Sequence, residues 1–248
     1  MMKRLRGLLG RGRTLRPTCT AIIAAAGSSR RMGGENKLLL PLGGRPVLAH
    51  TLCAVDRAES VNEIVIAARE DELLTFAALC KEYGIQKPVK VVVGGATRTE
   101  SVLRAALEAR PDAKLIAVQD GARPFVTPEL FDAVVLRATV CAAAAPAIPV
   151  HDTIKAARER RVTETPDRSA LFAVQTPQVF DAGLLKAALQ SALTDNAAVT
   201  DDCSAVERLG KAVYLTDGLE ENIKITTPLD LLIAEAILQR REEQEDME

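Results

Sequence analysis

The chain has no tryptophan, and aromatic residues make up only 3% of its 248 positions. Its core must therefore be built from Ala, Val, Leu and Ile. Histidine occurs twice, and the five cysteines (Cys19, Cys53, Cys80, Cys141, Cys203) form no C-x-x-C pair. Neither a zinc site nor a disulfide framework is expected, and free thiols in a reducing cytosol follow. No uninterrupted apolar run approaches the ~18 residues of a membrane span. Neither sign of charge prevails: 32 basic and 33 acidic residues leave a net charge of −1. That argues against a nucleic-acid binder relying on bulk charge. A cytoplasmic protein without membrane or nucleic-acid partners is the expectation.

The chain is 48% hydrophobic. At this length it should bury roughly 70–75% of its unfolded surface, enough for one large domain or two small ones. The ends stand apart. Residues 1–17 carry six basic residues and no acidic one, interrupted by Gly7, Gly10 and Gly12. Without an apolar h-region this is not a secretory signal. It reads as a frayed tail, or as an arm that contacts anions or a membrane. Residues 241–248 form a charged C-terminal tail, the solvated end of a helix, which leaves one domain over residues 18–240.

Between the ends, strands and helices alternate. Cys19–Ala26 is a nearly continuous apolar run, as in a strand buried on both faces. Further strands are expected at 63–68, 89–93, 115–119, 142–150 and 212–216. Helices are expected at 46–58, 70–83 (ended by Gly84), 99–109, from Thr127–Pro128 onward, 181–192, 200–209 (ended by Gly210), and from Thr227–Pro228 to about Gln239. The series predicts an α/β, Rossmann-like, mostly parallel sheet flanked by helices. Residues 150–168 break the rhythm: they have no helical face and are rich in charge and Thr. They are expected to form a protruding two-stranded β-arm turning near residues 159–161. An isolated hairpin is marginal in water, so this one should lean on something else, such as a second subunit.

In a parallel sheet the ligand sits beyond the carboxyl ends of the strands. Three polar loops follow apparent strands: 27–37, 94–101 and 120–124. The first reads Gly27-Ser28-Ser29-Arg30-Arg31-Met32-Gly33-Gly34-Glu35-Asn36-Lys37. Glycines let the backbone approach a ligand, and successive N–H groups make an anion nest. With the arginines and Lys37 it is either an oligophosphate cradle or a surface turn with solvated cations. It is neither a dinucleotide fingerprint nor a P-loop. Asp120, at a strand end, is either a turn former or a carboxylate able to hold Mg²⁺ directly or through water. Thr200-Asp201-Asp202 is ordinary helix-start chemistry. Asn222–Thr226 places one cation in an apolar strand, so Lys224 should reach an anion near the sheet edge. His50 and His151 read as structural.

The segments AAAGSSRRMGGENKLLLPLGGRPVLAHTL, GGATRTESV, QDGARP, HDTIK, TPDRSALFAVQTPQVF, VTDDCSAVE and ENIKITTPLDL occur in this order. Together they resemble the 2-C-methyl-D-erythritol 4-phosphate cytidylyltransferases, over about residues 19–239. The first segment alone marks the wider nucleotidyltransferase superfamily, and the later blocks narrow it. The resemblance implies transfer of CMP from CTP to 2-C-methyl-D-erythritol 4-phosphate in non-mevalonate isoprenoid biosynthesis, with Mg²⁺ or another hard divalent cation. It also implies a homodimer formed through the arm.

Position by position, the resemblance implies that Arg31, Lys37 and Lys224 are catalytic cations at the phosphates. Ala25, Ala26, Gly27, Ser28 and Ser29 hold the nucleotide, with Arg98 and Ser101 beside the cytidine. Asp120 lies near the metal and both substrates, and Arg123 belongs to its loop. Thr153 and Arg168 of the arm, with Thr176 and Thr200, bind the acceptor. The chain departs from the family pattern at Ser29, where a second glycine is common. It departs again at Gln119 and Gly121, where histidine and alanine are common. Two other readings stay open: a cytidylyltransferase for another polyol phosphate such as ribitol 5-phosphate, and a nucleotide-binding protein without turnover.

Overall fold

The computed structural model describes residues 17–27 and 36–245. The readings of the basic tail (1–16), of Ser28, Ser29 and Arg31, and of residues 246–248 fall outside them. β1 (Cys19–Ala24) is the central strand. It pairs in parallel with β4 (Val61–Ala68) on one side and β6 (Leu115–Asp120) on the other, and β5 (Val89–Val93) extends the sheet beyond β4. β7 (Ala143–Pro149) takes β12 (Tyr214–Asp217) in parallel. β11 (Gln178–Asp181) runs antiparallel to both β6 and β7, which makes those two parallel to each other. β10 (Phe172–Val174) also runs antiparallel to β7, and a cis Thr176–Pro177 bond lies between β10 and β11. The result is an eight-stranded, mostly parallel sheet.

Alternation along β1 explains why its apolar run is continuous. Ala21 and Ile23 join the core under α1 (Val47–Arg57), α2 (Leu73–Glu82) and α4 (Pro128–Cys141). Ile22 points the other way, into the core under α3 (Arg98–Leu107), α5 (Ala182–Thr194) and α6 (Asp202–Arg208). Both faces are covered, so neither tolerates polar alternation. The aliphatic cores are completed by only a few aromatics, among them the buried Phe76, Phe131 and Phe180. A third, smaller cluster seats α7 (Pro228–Glu245) on Leu42, Phe125 and Ile225.

Several expectations are corrected. β10 and β11 were not anticipated, because runs of three and four residues around Pro177 carry too little pattern to stand out. Residues 222–226 are not a strand. Ile223 and Ile225 are apolar because they pack under α7, and a single backbone bond ties Ile225 N–H to the Ala122 carbonyl at 2.9 Å. α6 is capped by Asp201 rather than Thr200. Asp201 accepts the Ser204 N–H at 2.9 Å, and the Ser204 hydroxyl accepts the Asp201 N–H in return. α3 begins at Arg98, capped by Thr97, and α7 continues past Gln239 to Glu245, into the stretch read as a tail. A two-residue hairpin, β2 (Pro41–Leu42) and β3 (Arg45–Pro46), precedes α1 and turns on Gly43 and Gly44, whose φ values of +55° and +76° favour glycine.

β8 (Ala156–Arg158) and β9 (Arg161–Glu164) form the expected hairpin, turning at Glu159 and Arg160. Every residue of the two strands is exposed, and they form a sheet of their own. Among the described residues no helix is long and apolar enough to cross a membrane.

Candidate active site

The strands β1, β5 and β6 end together. Ala24 is in register with Asp120 of β6 and with Ala67 of β4, and Ala67 in turn with Val92 of β5, so the loops that follow emerge at one edge. Gly94 lets two of them touch. A Cβ there would lie 2.6 Å from the Ala26 Cβ and 2.9 Å from the Ser101 hydroxyl, closer than any side chain tolerates. The Ser101 hydroxyl, just inside α3, accepts the Gly95 N–H at 2.9 Å and donates to the Thr97 carbonyl at 2.8 Å, which shapes the loop. Ala25, Ala26, Gly27, Arg98 and Ser101 line the resulting cleft of about 300 Å³.

Lys37, Asp120 and Lys224 line it as well. Asn36 anchors the end of the first loop. Its amide donates to the buried Glu72, and its carbonyl oxygen accepts the Leu38 N–H at 3.0 Å. The neighbouring Lys37 ammonium donates to the Ile225 carbonyl at 2.7 Å, tying this loop to the segment that carries Lys224.

Asp120 is the electrostatic centre. Its carboxylate lies 2.9 Å from Lys224 Nζ, 3.4 Å from Arg123 Nε and 3.9 Å from Arg98 Nη2. Burial opposes its ionisation, but Lys224, Arg98 and Arg123 together outweigh burial and hold its pKa below the ordinary carboxylate range. Its backbone N–H donates to the Thr176 hydroxyl at 3.1 Å. Arg98 also reaches the fully buried Asp202 at 2.7 Å. Burial opposes the charge on Arg98, yet Asp202, Asp120 and Asp201 raise its pKa further still. Burial pushes the Asp202 carboxyl up, against the pull of Arg98.

A second hollow adjoins the cleft and shares Arg98, Asp120 and Lys224 with it. Arg123, Thr176 and Thr200 line this hollow. The structure thus gathers around Asp120 the described ends of the loop after β1 (Ala25–Gly27 and Lys37), the start of α3, and Arg123, Thr176 and Thr200 of the positions expected for the acceptor. Thr153 and Arg168 line neither space. They belong to the exposed arm, where Arg168 Nη1 donates to the His151 carbonyl at 2.6 Å. His151 is exposed as well, and His50 lies away from the cleft, its ring bonded to the Leu42 carbonyl at 2.9 Å.

Three polar residues of the site escaped sequence reasoning. Asp202 was read as a helix-start acid, yet it is buried against Arg98. Gln178 receives the N–H groups of Asp202 and Cys203 on one oxygen and donates to Asp201 at 2.8 Å. Asn222, also buried, donates to the Thr176 carbonyl at 3.0 Å, and its own carbonyl accepts from Arg123. The repeated acid of Asp201-Asp202 was the available signal, since one carboxylate suffices for a cap.

A model of the 2-C-methyl-D-erythritol 4-phosphate cytidylyltransferase family matches residues 19–240. The chain belongs to this family. A relative of that name from Bacillus cytotoxicus is 47% identical over 225 residues, covering 90% of this chain and 99% of its own. Another, from Halalkalibacterium halodurans, is 44% identical over 224 residues, with 90% and 98% covered. The solved 4-diphosphocytidyl-2C-methyl-D-erythritol synthase of Anaerococcus prevotii superposes with a TM-score of 0.82 at 32% identity, covering 90% of this chain and 96% of that one. The Thermus thermophilus cytidylyltransferase gives 0.71 at 33% identity, with 89% and 98% covered. Membership of the family makes the chain a nucleotidyltransferase with a Rossmann-like fold, and the sheet order above is the family's architecture in this sequence.

The donor set around Asp120 fits a hard divalent cation in one way only. The described residues hold no cluster of three or more His, Cys, Asp or Glu side chains. A cation here would therefore rest on Asp120, with substrate phosphates and water completing its shell, the usual arrangement for Mg²⁺.

Proposed function

We propose that this chain transfers CMP from CTP to 2-C-methyl-D-erythritol 4-phosphate, giving 4-diphosphocytidyl-2-C-methyl-D-erythritol and pyrophosphate. The observation that carries the site assignment is the buried Asp120 carboxylate, gripped by Lys224, Arg123 and Arg98 from three separate segments at the lip of the cleft that Lys37 lines. A phosphate oxygen of the acceptor attacks the α-phosphorus of CTP. A new P–O bond forms, the bond to the bridging oxygen of the β-phosphate breaks, and pyrophosphate leaves with that electron pair. Two anions must meet, and charge grows on the α-phosphoryl oxygens and the leaving group. Fixed cations aimed there lower the barrier without reorganising.

Lys37 and Lys224 supply that charge, with Arg31 as their partner in the first loop. Asp120 keeps Lys224, Arg123 and Arg98 from drifting apart by mutual repulsion. When bound on Asp120, Mg²⁺ would neutralise phosphate charge between the substrates. The cleft beside Ala25–Gly27, Arg98 and Ser101 takes the nucleotide. The hollow lined by Arg123, Thr176 and Thr200 takes the acceptor. Thr153 and Arg168 complete the acceptor site from the arm of a second subunit. The exposed Ile154 and Val162 of the arm support that pairing, because no described residue of one subunit buries them. The enzyme works in the cytoplasm.

The test is pyrophosphate release with CTP, Mg²⁺ and either 2-C-methyl-D-erythritol 4-phosphate or ribitol 5-phosphate. Lys37→Ala and Lys224→Ala each lower kcat by about 10²-fold or more. Arg168→Ala raises KM for the acceptor more than for CTP. Wild-type turnover by both lysine variants refutes the site, and faster turnover with ribitol 5-phosphate refutes the acceptor.

A further inference from the structure

A second cavity, of about 370 Å³, opens between the β2–β3 turn, α1, the loop after β6 and α7. It shares no lining residue with the cleft or the hollow around Asp120. Arg45, Arg57 and Arg241 line it together with His50, and its one carboxylate is Glu242. Arg45 and Arg57 are exposed and make no hydrogen bond or ion pair with another described residue. Arg241 is held by Glu221, so among the described residues Arg45 and Arg57 against Glu242 carry the positive charge of the cavity. Arg241 is already oriented: Nε lies 2.8 Å from Glu221, Nη2 donates to the Phe125 carbonyl at 3.3 Å, and the guanidinium sits 5.0 Å from the Phe125 ring centroid. Guanidinium forks on three elements around a hollow of this size suit the oxygens of a phosphate group.

The same cavity backs onto the reaction machinery. Pro124, Phe125 and Val126 wall it, and they follow directly on Asp120–Arg123. Thr51 of α1 donates to the carbonyls of Gly121 and Arg123, at 3.0 and 3.1 Å. Glu221, which holds Arg240 and Arg241, adjoins Asn222, whose carbonyl takes Arg123, and stands three residues before Lys224. An anion that draws Arg241 from Glu221 acts on both segments that grip Asp120.

We propose that this cavity is a second anion site, distinct from the catalytic cleft, which binds a small phosphate-bearing molecule through Arg45, Arg57 and Arg241 and transmits its occupancy to the Asp120 loop. The binding stands independently of the assigned reaction; the effect on turnover rests on it. The phosphate group is the shared chemistry, and it has two sources: inorganic pyrophosphate, released by the reaction itself, or an organic phosphomonoester.

Calorimetric titration of the full chain with pyrophosphate, inorganic phosphate and glycerol 3-phosphate separates them. It is run on wild type, on Arg45→Gln/Arg57→Gln and on Lys37→Ala. The expected result is a site whose affinity falls about tenfold or more in the double-arginine variant and is untouched by Lys37→Ala. Without added anion, the arginine variant keeps kcat and both KM values. The anion that binds there also shifts wild-type KM or kcat, and that shift is lost in the variant. If all binding is lost with Lys37→Ala and none with the arginine pair, the site does not exist. If binding is lost without any kinetic shift, the transmission is wrong. Should the double variant melt early, the single exposed Arg57→Gln carries the same comparison.

Discussion

Asp202→Asn isolates the buried support beneath the cleft. Asp202 is fully buried, and its charged partner within salt-bridge range among the described residues is Arg98, at 2.7 Å. Removing one partner of a buried pair typically destabilises by about 3–5 kcal/mol. Two features reduce that here. Arg98 keeps about a third of its side chain in solvent and retains Asp120 at 3.9 Å. Asparagine also preserves the volume and an oxygen that can accept from the guanidinium. A loss of about 1–2 kcal/mol is expected, which for a chain of this size is roughly 2–8 °C in Tm. The kinetic signature is more specific. Arg98 lines the cleft while Lys37 and Lys224 are untouched, so KM for CTP should rise about tenfold and kcat should fall less than about threefold. Thermal melting followed by dye fluorescence and steady-state pyrophosphate release measure both. An unchanged Tm with an unchanged KM would show that Asp202 does not hold Arg98. A collapse of kcat at constant KM would place Arg98 at the transferring phosphate rather than on the nucleotide.

The Asp230 carboxylate accepts from the Thr226 and Thr227 N–H groups, each at 2.8 Å, and from the Thr226 hydroxyl at 2.7 Å, at the start of α7. Burial opposes, but these donors prevail and hold its pKa below the ordinary 3.8. A folded value below the unfolded one stabilises above the unfolded pKa and is lost as pH falls through the folded value. Asp230→Ala should therefore cost about 1–2 kcal/mol near neutrality. The gap from wild type should narrow as pH falls below about 4, as urea melts across pH will report; a gap that does not narrow on acidification contradicts it. Cys19 and Cys80 are buried, with burial pushing their thiols up to about 12 and about 11, and Cys203 is raised likewise. Ellman's reagent should reach at most Cys53 and Cys141 in the native chain and all five thiols in guanidinium; three fast native thiols would refute the packing of the sheet.

The alternation of apolar runs with amphipathic segments was enough to indicate a parallel sheet covered on both faces. The reason is local: Ile22 and Ile23 on opposite sides of β1 must both be apolar when each side bears helices. Gly-rich and charged loops after three strands likewise marked one edge as the candidate site, because strand polarity alone brings their ends together. The turn at Glu159–Arg160 and the caps at Thr97, Thr127 and Asp201 are short-range features, legible to within a few residues. Other features depended on neighbours distant in sequence. β10 and β11 are too short to carry a pattern of their own and exist because β6 and β7 offer open edges. The apolar alternation around Lys224 looked like a strand, yet it serves the underside of α7. Above all, the grip of Lys224, Arg123 and Arg98 on Asp120, and of Asp202 on Arg98, joins residues up to 104 positions apart. Burial decides which of many acids and bases must find partners, and burial is a property of the folded chain rather than of any stretch of its sequence.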